Sequence, residues 1–173
     1  MDKQTLCTMF SSDKDCWETP QALFNALNAQ YHFTLDAAAS DINHKVDKYY
    51  TAYDDGLSKD WGGETVWCNP PYGTKETGEW TRKAYEESSK PNTTVVMLLP
   101  ARTDRRSFHK YIYNKSGVSV RFLQGRLAFE INGEPIRNDK NCVMKAPFPS
   151  MIVEFKVHET LKSECETMCD LRR

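Results

Sequence analysis

Long apolar runs are missing from this chain of 173 residues. No stretch approaches the roughly 20 apolar residues needed to cross a bilayer, and the opening Met1-Asp2-Lys3-Gln4 is polar, without the apolar core of a secretory signal. Paired cysteines are missing as well. The six cysteines stand at 7, 16, 68, 142, 165 and 169 without a Cys-x-x-Cys pair, so a disulfide framework does not follow and reduced thiols are expected. None of the four histidines lies at ligand spacing from a cysteine pair, which argues against zinc. The expectation is a protein without membrane or metal, in the cytoplasm. There is also no internal repeat, no low-complexity tract and no Gly/Ser linker, so the length suits one domain. Its core is expected at 17–157, followed by a charged tail at 158–173.

A net charge of −1 argues against an indiscriminate binder of polyanions, but its distribution is uneven. From Pro100 to Arg126, the basic residues Arg102, Arg105, Arg106, Lys110, Lys115, Arg121 and Arg126 face the single acid Asp104. The first 99 residues hold nine basic and fifteen acidic side chains. Such asymmetry gives the folded protein a positive side, and arginine favours bidentate phosphate contacts.

Local patterns alternate between helix and strand. Thr19 as N-cap and Pro20 at the first helical position open a predicted helix, with Leu23, Phe24, Leu27 and Tyr31 as its apolar stripe. Phe33-Thr34-Leu35 reads as a short strand ending at Asp36, and Thr65-Val66-Trp67-Cys68 as a second. A helix carrying Trp80, Ala84 and Tyr85 follows. The unbroken apolar run Thr94 to Leu99 suits a central parallel strand covered on both faces. Asp104 to Tyr113 reads as a helix, and Val118 to Leu123 and Ser150 to Val157 as strands. Asn132-Gly133 signals a two-residue hairpin between Leu127–Ile131 and Glu134–Ile136. The alternation predicts an α/β domain with a mostly parallel sheet. Ligands of such sheets bind beyond the carboxyl ends of the strands, where Asp36, Asn69 and Pro100-Ala101-Arg102 fall.

The run Asn69-Pro70-Pro71-Tyr72 carries the most chemistry. Asn69 offers a side-chain carbonyl oxygen and an amide; the two prolines fix φ; Tyr72 sets an aromatic ring beside these acceptors. A rigid acceptor pair next to a stacking face suits a planar ligand with an exocyclic amine, such as an adenine taken out of a nucleic-acid stack.

With these residues in order, the chain resembles the DNA adenine-N6 methyltransferases of the small phage and prophage type, related to the Dam enzymes. Trp17-Glu18-Thr19-Pro20 with Leu23-Phe24 is similar to the family's amino-terminal motif, and Leu35-Asp36-Ala37-Ala38 to its first cofactor motif. Asp55-Gly56-Leu57, Asp60-Trp61 and Trp67 to Gly73 match the middle block. Trp80 with Lys83-Ala84, Leu99 to Asp104, Phe108-His109 and Gly125-Arg126-Leu127-x-Phe129 complete it. Each motif alone is weak; their shared order is specific.

The resemblance implies a Rossmann-like class I fold dependent on S-adenosylmethionine, with an abbreviated, mostly parallel sheet and a carboxyl-terminal β-hairpin. It implies methyl transfer to N6 of a flipped adenine in double-stranded DNA, at a short site resembling GATC. Asn69, Pro70, Pro71 and Tyr72 are then the catalytic run. Trp17, Thr19, Pro20, Asp36, Ala37, Ala38 and Asn69 face the cofactor, and a second acid among Asp54, Asp55 and Asp60 holds its ribose. Arg102, Arg105, Arg106, Lys110, Arg121 and Arg126 are the candidates for DNA phosphates. The chain departs from larger relatives where Ala37-Ala38-Ala39 replaces a glycine-rich loop. Moreover, only 32 residues separate Asp36 from Asn69.

Two other readings share this fold. One is methylation of RNA or of a protein glutamine; the lack of an aromatic-rich RNA surface and of a second domain counts against it. The other is a DNA-binding module without turnover, against which intact Asn69 and Tyr72 argue. The charge pattern makes its own prediction. Replacing Arg105 and Arg106 together by alanine weakens DNA binding and flattens its salt dependence, as read from affinities across a salt series; an unchanged slope would move the DNA face elsewhere.

Overall fold

The computed structural model describes residues 17–156. The charged tail expected at 158–173 lies outside the described residues. Helix α1 spans Gln21–Tyr31, followed by β1 (Leu35–Asp36) and β2 (Thr65–Cys68). Then come α2 (Thr74–Glu87), β3 (Thr94–Pro100), α3 (Arg106–Tyr111) and β4 (Val118–Phe122). The chain continues with β5 (Glu130–Ile131), β6 (Glu134–Pro135) and β7 (Ser150–Phe155).

Five strands form one sheet in the order β1-β2-β3-β7-β4. β1, β2 and β3 are mutually parallel, with Asp36 opposite Trp67 and Cys68 opposite Met97. β7 runs antiparallel between β3 and β4, so four strands point one way and one against them. The sheet is therefore mostly parallel, and β3 has one neighbour of each sense. Beyond β1 the sheet fades. Asp36 N–H donates to Lys48 O and Tyr50 N–H to Asp36 O, both at 2.9 Å, leaving a single parallel bridge from Asp36 to Tyr49.

The central position of β3 explains its unbroken apolar sequence. Val95, Met97 and Leu99 pack on one side with Trp61, Ala84, Phe108 and Ile112. Val96 and Leu98 pack on the other with Phe24, Leu27, Trp67 and Phe129.

α1 does not start as its sequence suggests. Pro20 occupies the N-cap position and no side chain of the helix's own terminus caps it; the Gln21 N–H instead donates to the Glu130 carboxylate at 3.1 Å. The cap is tertiary, brought from β5, and the Thr19 hydroxyl does not cap the helix. At the turn between β5 and β6, Asn132 and Gly133 have φ of 54° and 78°, the left-handed pair that a two-residue hairpin turn requires.

Trp61 fixes the middle block. It is fully buried, its indole N–H donates to Gly56 O at 3.0 Å, and its backbone N–H donates to Glu87 at 2.8 Å. Burial raises the Glu87 carboxyl, but Lys83 at 2.7 Å, Lys90 at 2.6 Å and the Trp61 N–H outweigh it and hold the group below its ordinary value. Removing one member of a buried charged network strands the others. Glu87→Ala is therefore expected to cost about 3 kcal/mol, as read from urea denaturation; a loss near zero would show that the network is dispensable.

Candidate active site

Asp36, Asn69 and Pro100 end, or directly follow, three adjacent strands at the carboxyl edge of the sheet. Asn69 is the focus. Its Nδ2 donates to the Trp17 carbonyl at 3.1 Å, and its Oδ1 accepts the Tyr72 hydroxyl at 2.6 Å. A carbonyl can only accept, so the Trp17 contact defines which end of the amide faces it. The Tyr72 hydroxyl is also 3.4 Å from Leu98 O, and burial pushes its pKa well up. Behind the run, the Thr77 hydroxyl in the first turn of α2 donates to Gly73 O at 2.7 Å and lies 3.2 Å from Pro71 O. Among the described residues, no hydrogen bond reaches the Pro70 carbonyl.

An aromatic box surrounds Asn69. Trp17 stacks on Phe129 at 5.1 Å and tilts against Phe148 at 6.0 Å. Tyr72 meets the same two rings edge-on at 6.0 and 5.5 Å. Tyr72 and Phe148 are half-buried, whereas Phe129 is buried. Phe148 had no role in the sequence reading, although an aromatic between two prolines, Pro147-Phe148-Pro149, marks a fixed ring just before a strand. Phe129 appeared there only as part of a motif.

On the other flank, Asp36 is buried, with Oδ2 accepting the Lys45 N–H at 3.0 Å and Oδ1 lying 3.4 Å from the Ala38 N–H. The Ala38 contact is the Asx-turn geometry of a strand end. Burial dominates its titration and raises it from 3.8 to about 6, against the lowering effect of those amides. Ala37 is also buried, and a Cβ built on Gly56 would collide with the Ala37 carbonyl. The Gly56 backbone is thus pressed on the end of β1, a close approach in which Ala37 takes part. Asp55, exposed and with φ of 54°, precedes that glycine. Asp54 accepts hydrogen bonds from the Thr51 N–H and hydroxyl at 2.9 and 2.7 Å.

Asp60 does not join this group. Its carboxylate accepts from Lys90 and the Gly62 N–H, both at 2.8 Å, which hold it down at about 2. Three residues on, the Gly63 N–H donates to the hydroxyl of Thr93, just before β3, so Asp60 lies at the amino edge of the sheet, opposite Asn69. The role expected for it as a ribose ligand is corrected on this geometry.

Thr19 stands beside Trp17, and its hydroxyl is buried without a hydrogen-bond partner among the described residues. The Ser150 hydroxyl is in the same state. A buried hydroxyl left unpaired is costly, and at a site it suggests a partner that a ligand supplies.

The basic residues divide. Arg102 and Arg105 line a shallow cleft between α2 and α3 floored by Leu99, Phe108, Ile112 and Met151. Arg106 opens α3. The Arg102 guanidinium also lies 5.8 Å from the Phe148 ring. Arg126 follows β4 at the same edge as Pro100, after a turn with Gly125 at φ of 80°. Two others are not brought into this group: Lys110 sits over Tyr111 at 5.1 Å, and Arg121 lies beside the hydrogen bond from Tyr31 to Glu154. Among the described residues, no group of three or more His, Cys, Asp or Glu could hold a metal, and no helix is long and apolar enough to cross a membrane. Cys68 and Cys142 are free thiols.

The Asp36 environment generates a pH dependence. Its folded-state pKa lies above the unfolded value, so the ionised form is the one that burial penalises. This contribution to stability is present at low pH and is lost as pH rises from about 4 to about 6. Over that window the unfolding constant of the wild type is expected to gain about tenfold per pH unit from this group. Asp36→Asn is expected to lack that slope in denaturation curves at several pH values; the same slope in both proteins would contradict the assignment.

Comparison with known proteins identifies the family. A family model described as DNA N-6-adenine-methyltransferase (Dam) matches residues 7–169. A DNA N-6-adenine-methyltransferase of Haemophilus phage HP1 is 31% identical over 150 residues, covering 81% of this chain and 85% of the relative. One of Escherichia phage T1 is 31% identical over 122 residues, covering 69% of this chain and 49% of that protein. The order of motifs around Asn69 and a match over nearly the whole chain lead to one assignment: the chain belongs to the DNA N-6-adenine-methyltransferase (Dam) family.

Proposed function

We propose that the protein performs its family's reaction, methylation of the exocyclic N6 of adenine in DNA, on a Rossmann-like class I scaffold with S-adenosylmethionine as donor. The observation that carries the reading is the Asn69 carboxamide, held in a defined orientation at the end of β2 and walled by aromatic rings. Adenine N6 is a poor nucleophile because its lone pair is delocalised into the ring. Asn69 Oδ1 has two lone pairs; the Tyr72 hydroxyl uses one, and the second accepts an N6 proton. The Pro70 carbonyl accepts the other. Two acceptors at fixed positions build electron density on N6 and aim it, so positioning is the main contribution.

The flipped base stacks on Tyr72, an interaction typically worth about 1–3 kcal/mol per base, which offsets part of the unstacking cost. Phe148 is a second wall of the same slot. No general base is obligatory: N6 attacks the methyl carbon as the carbon–sulfur bond to the sulfonium breaks, the thioether leaves, and the methylated amine then loses its extra proton to water.

When bound, S-adenosylmethionine supplies an electrophilic methyl group on a sulfonium primed to leave. The residues fit such a ligand. The Asp36 carboxylate is under-compensated where it stands and gains from a cationic amine, which is the role proposed for it. The buried Thr19 hydroxyl has no hydrogen-bond partner among the described residues, and a polar ligand atom would provide one. Ala37, Ala38 and the Gly56 turn are assigned to the cofactor, with Asp55 as the acid for its ribose hydroxyls, since Asp54 is taken up by Thr51 and Asp60 by Lys90. Trp17 and Pro20 close the methionine end.

Arg102, Arg105, Arg106 and Arg126 share the edge that carries Asn69 and are assigned to DNA phosphates. The short ribbon around Asn132-Gly133 and the segment 137–149 are assigned to base contacts, and the target site is correspondingly short. Asn69→Ala is expected to lower turnover on an adenine-containing duplex by at least about a hundredfold, with S-adenosylmethionine binding intact by calorimetry. Turnover near the wild-type rate would remove Asn69 from the mechanism.

A further inference from the structure

The ribbon formed by β5 and β6 and the catalytic run at the end of β2 are distant in sequence, yet one peptide group joins them. The Trp17 carbonyl accepts from Asn69 Nδ2 at 3.1 Å. The N–H of that same peptide unit, on Glu18, donates to Glu130 O at 2.9 Å. A peptide group is planar, with its C=O and N–H fixed on opposite sides. Any tilt imposed where Glu18 meets the ribbon therefore reappears at the carbonyl that orients Asn69.

Glu18 is held unusually firmly for a motif residue near a surface strand. Its own carbonyl accepts from Glu130 N–H at 3.1 Å, closing an antiparallel bridge. Its side chain is only 7% exposed. Oε1 accepts the Asn132 N–H at 3.0 Å and Oε2 the Gly133 N–H at 3.2 Å. Both turn residues have positive φ, a conformation that directs successive N–H groups toward one anion. In return, the Glu130 carboxylate takes the Gln21 N–H of α1.

An Asn-Gly turn closes without help from a carboxylate, and placing a charge out of water is costly unless it is well bonded. The two charge-assisted bonds meet that cost and make the turn a fixed point of attachment. We infer that Glu18 is a positioning residue for methyl transfer: by clamping the Asn132-Gly133 turn it sets the Trp17–Glu18 peptide plane, and through the Trp17 carbonyl it aims the Asn69 amide. This rests on the role proposed above for Asn69. It also makes the ribbon, assigned to DNA, mechanically continuous with the acceptor of the target amine.

The test compares wild type, Glu18→Gln, Glu18→Ala and Asn69→Ala. For each, it measures thermal unfolding, S-adenosylmethionine affinity, kcat and KM on an adenine-containing duplex, and the side-chain amide signals in a ¹H–¹⁵N correlation spectrum. The Asn69 amide is identified by its disappearance in Asn69→Ala. Glu18→Ala is expected to bind S-adenosylmethionine as the wild type does, to lose about tenfold in kcat and to show a shifted Asn69 amide signal. Glu18→Gln keeps one acceptor oxygen and is expected to fall between the two in both readouts; if Glu18→Ala does not fold, it carries the test alone. Wild-type kcat in a folded Glu18 variant, or a loss of kcat with the Asn69 signal unmoved, overturns the inference. Wild-type turnover by Asn69→Ala would instead overturn the role of Asn69, whatever Glu18 does.

Discussion

The site depends on a carboxamide held at both ends. Asn69 donates one amide proton to the Trp17 carbonyl and accepts the Tyr72 hydroxyl on its oxygen, so neither end can be exchanged without breaking a bond. Each contact comes from a different part of the chain. Trp17 arrives with the segment laid on the ribbon, Tyr72 with the proline turn that leads into α2, and Asn69 itself with the end of β2. An acceptor aimed at a weakly nucleophilic amine is useful only if it stays aimed. The two sides of the sheet serve that end differently: the aromatic box lies with α1 and the ribbon, while the arginine-lined cleft lies between α2 and α3.

Support for this arrangement is buried and polar as much as apolar. Trp61 spans from Gly56 to Glu87 and so ties the loop after β1 to the end of α2. Gly56, pressed on the Ala37 carbonyl, brings that loop against the end of β1, where Asp36 is buried at a cost shown by its raised pKa. Destabilised groups gathered beside a firm scaffold are what a binding site requires. Here the cost lies in Asp36 and in the Thr19 hydroxyl, which is unpaired among the described residues, and the rigidity in Trp61, Glu87 and β3.

Much of this was legible in the sequence. β3 could be read because a strand covered on both faces must be apolar throughout, and the turn at Asn132-Gly133 because few residue pairs tolerate two positive φ values in succession. Asn69 to Tyr72 stood out by chemistry. What was not legible depended on partners far along the chain. Thr19 looks like an N-cap to any local rule, but the amide it would cap is taken by Glu130, 109 positions from Gln21. Asp60 looks like a ribose ligand until Lys90 is found beside it at the other edge of the sheet. Alternating or apolar runs carry no direction, so the reversal of β7 between β3 and β4 was hidden. The first strand is legible as well, but it begins at Leu35, two residues later than the run Phe33-Thr34-Leu35 suggests. The basic stretch read as one face, whereas folding sends Arg121 toward Tyr31 and away from Arg102.

In the proposed function, the slot beside Asn69 takes an adenine of DNA and exposes its N6 to a methyl donor. That reading is tested most directly by identifying the methylated atom. The protein is incubated with methyl-labelled S-adenosylmethionine and, separately, duplex DNA, RNA and protein acceptors, and the products are hydrolysed and resolved by chromatography and mass spectrometry. The account predicts label in N6-methyladenine from duplex DNA. Label confined to RNA, to protein glutamine or to cytosine, or no transfer to DNA by protein that binds it, would contradict it.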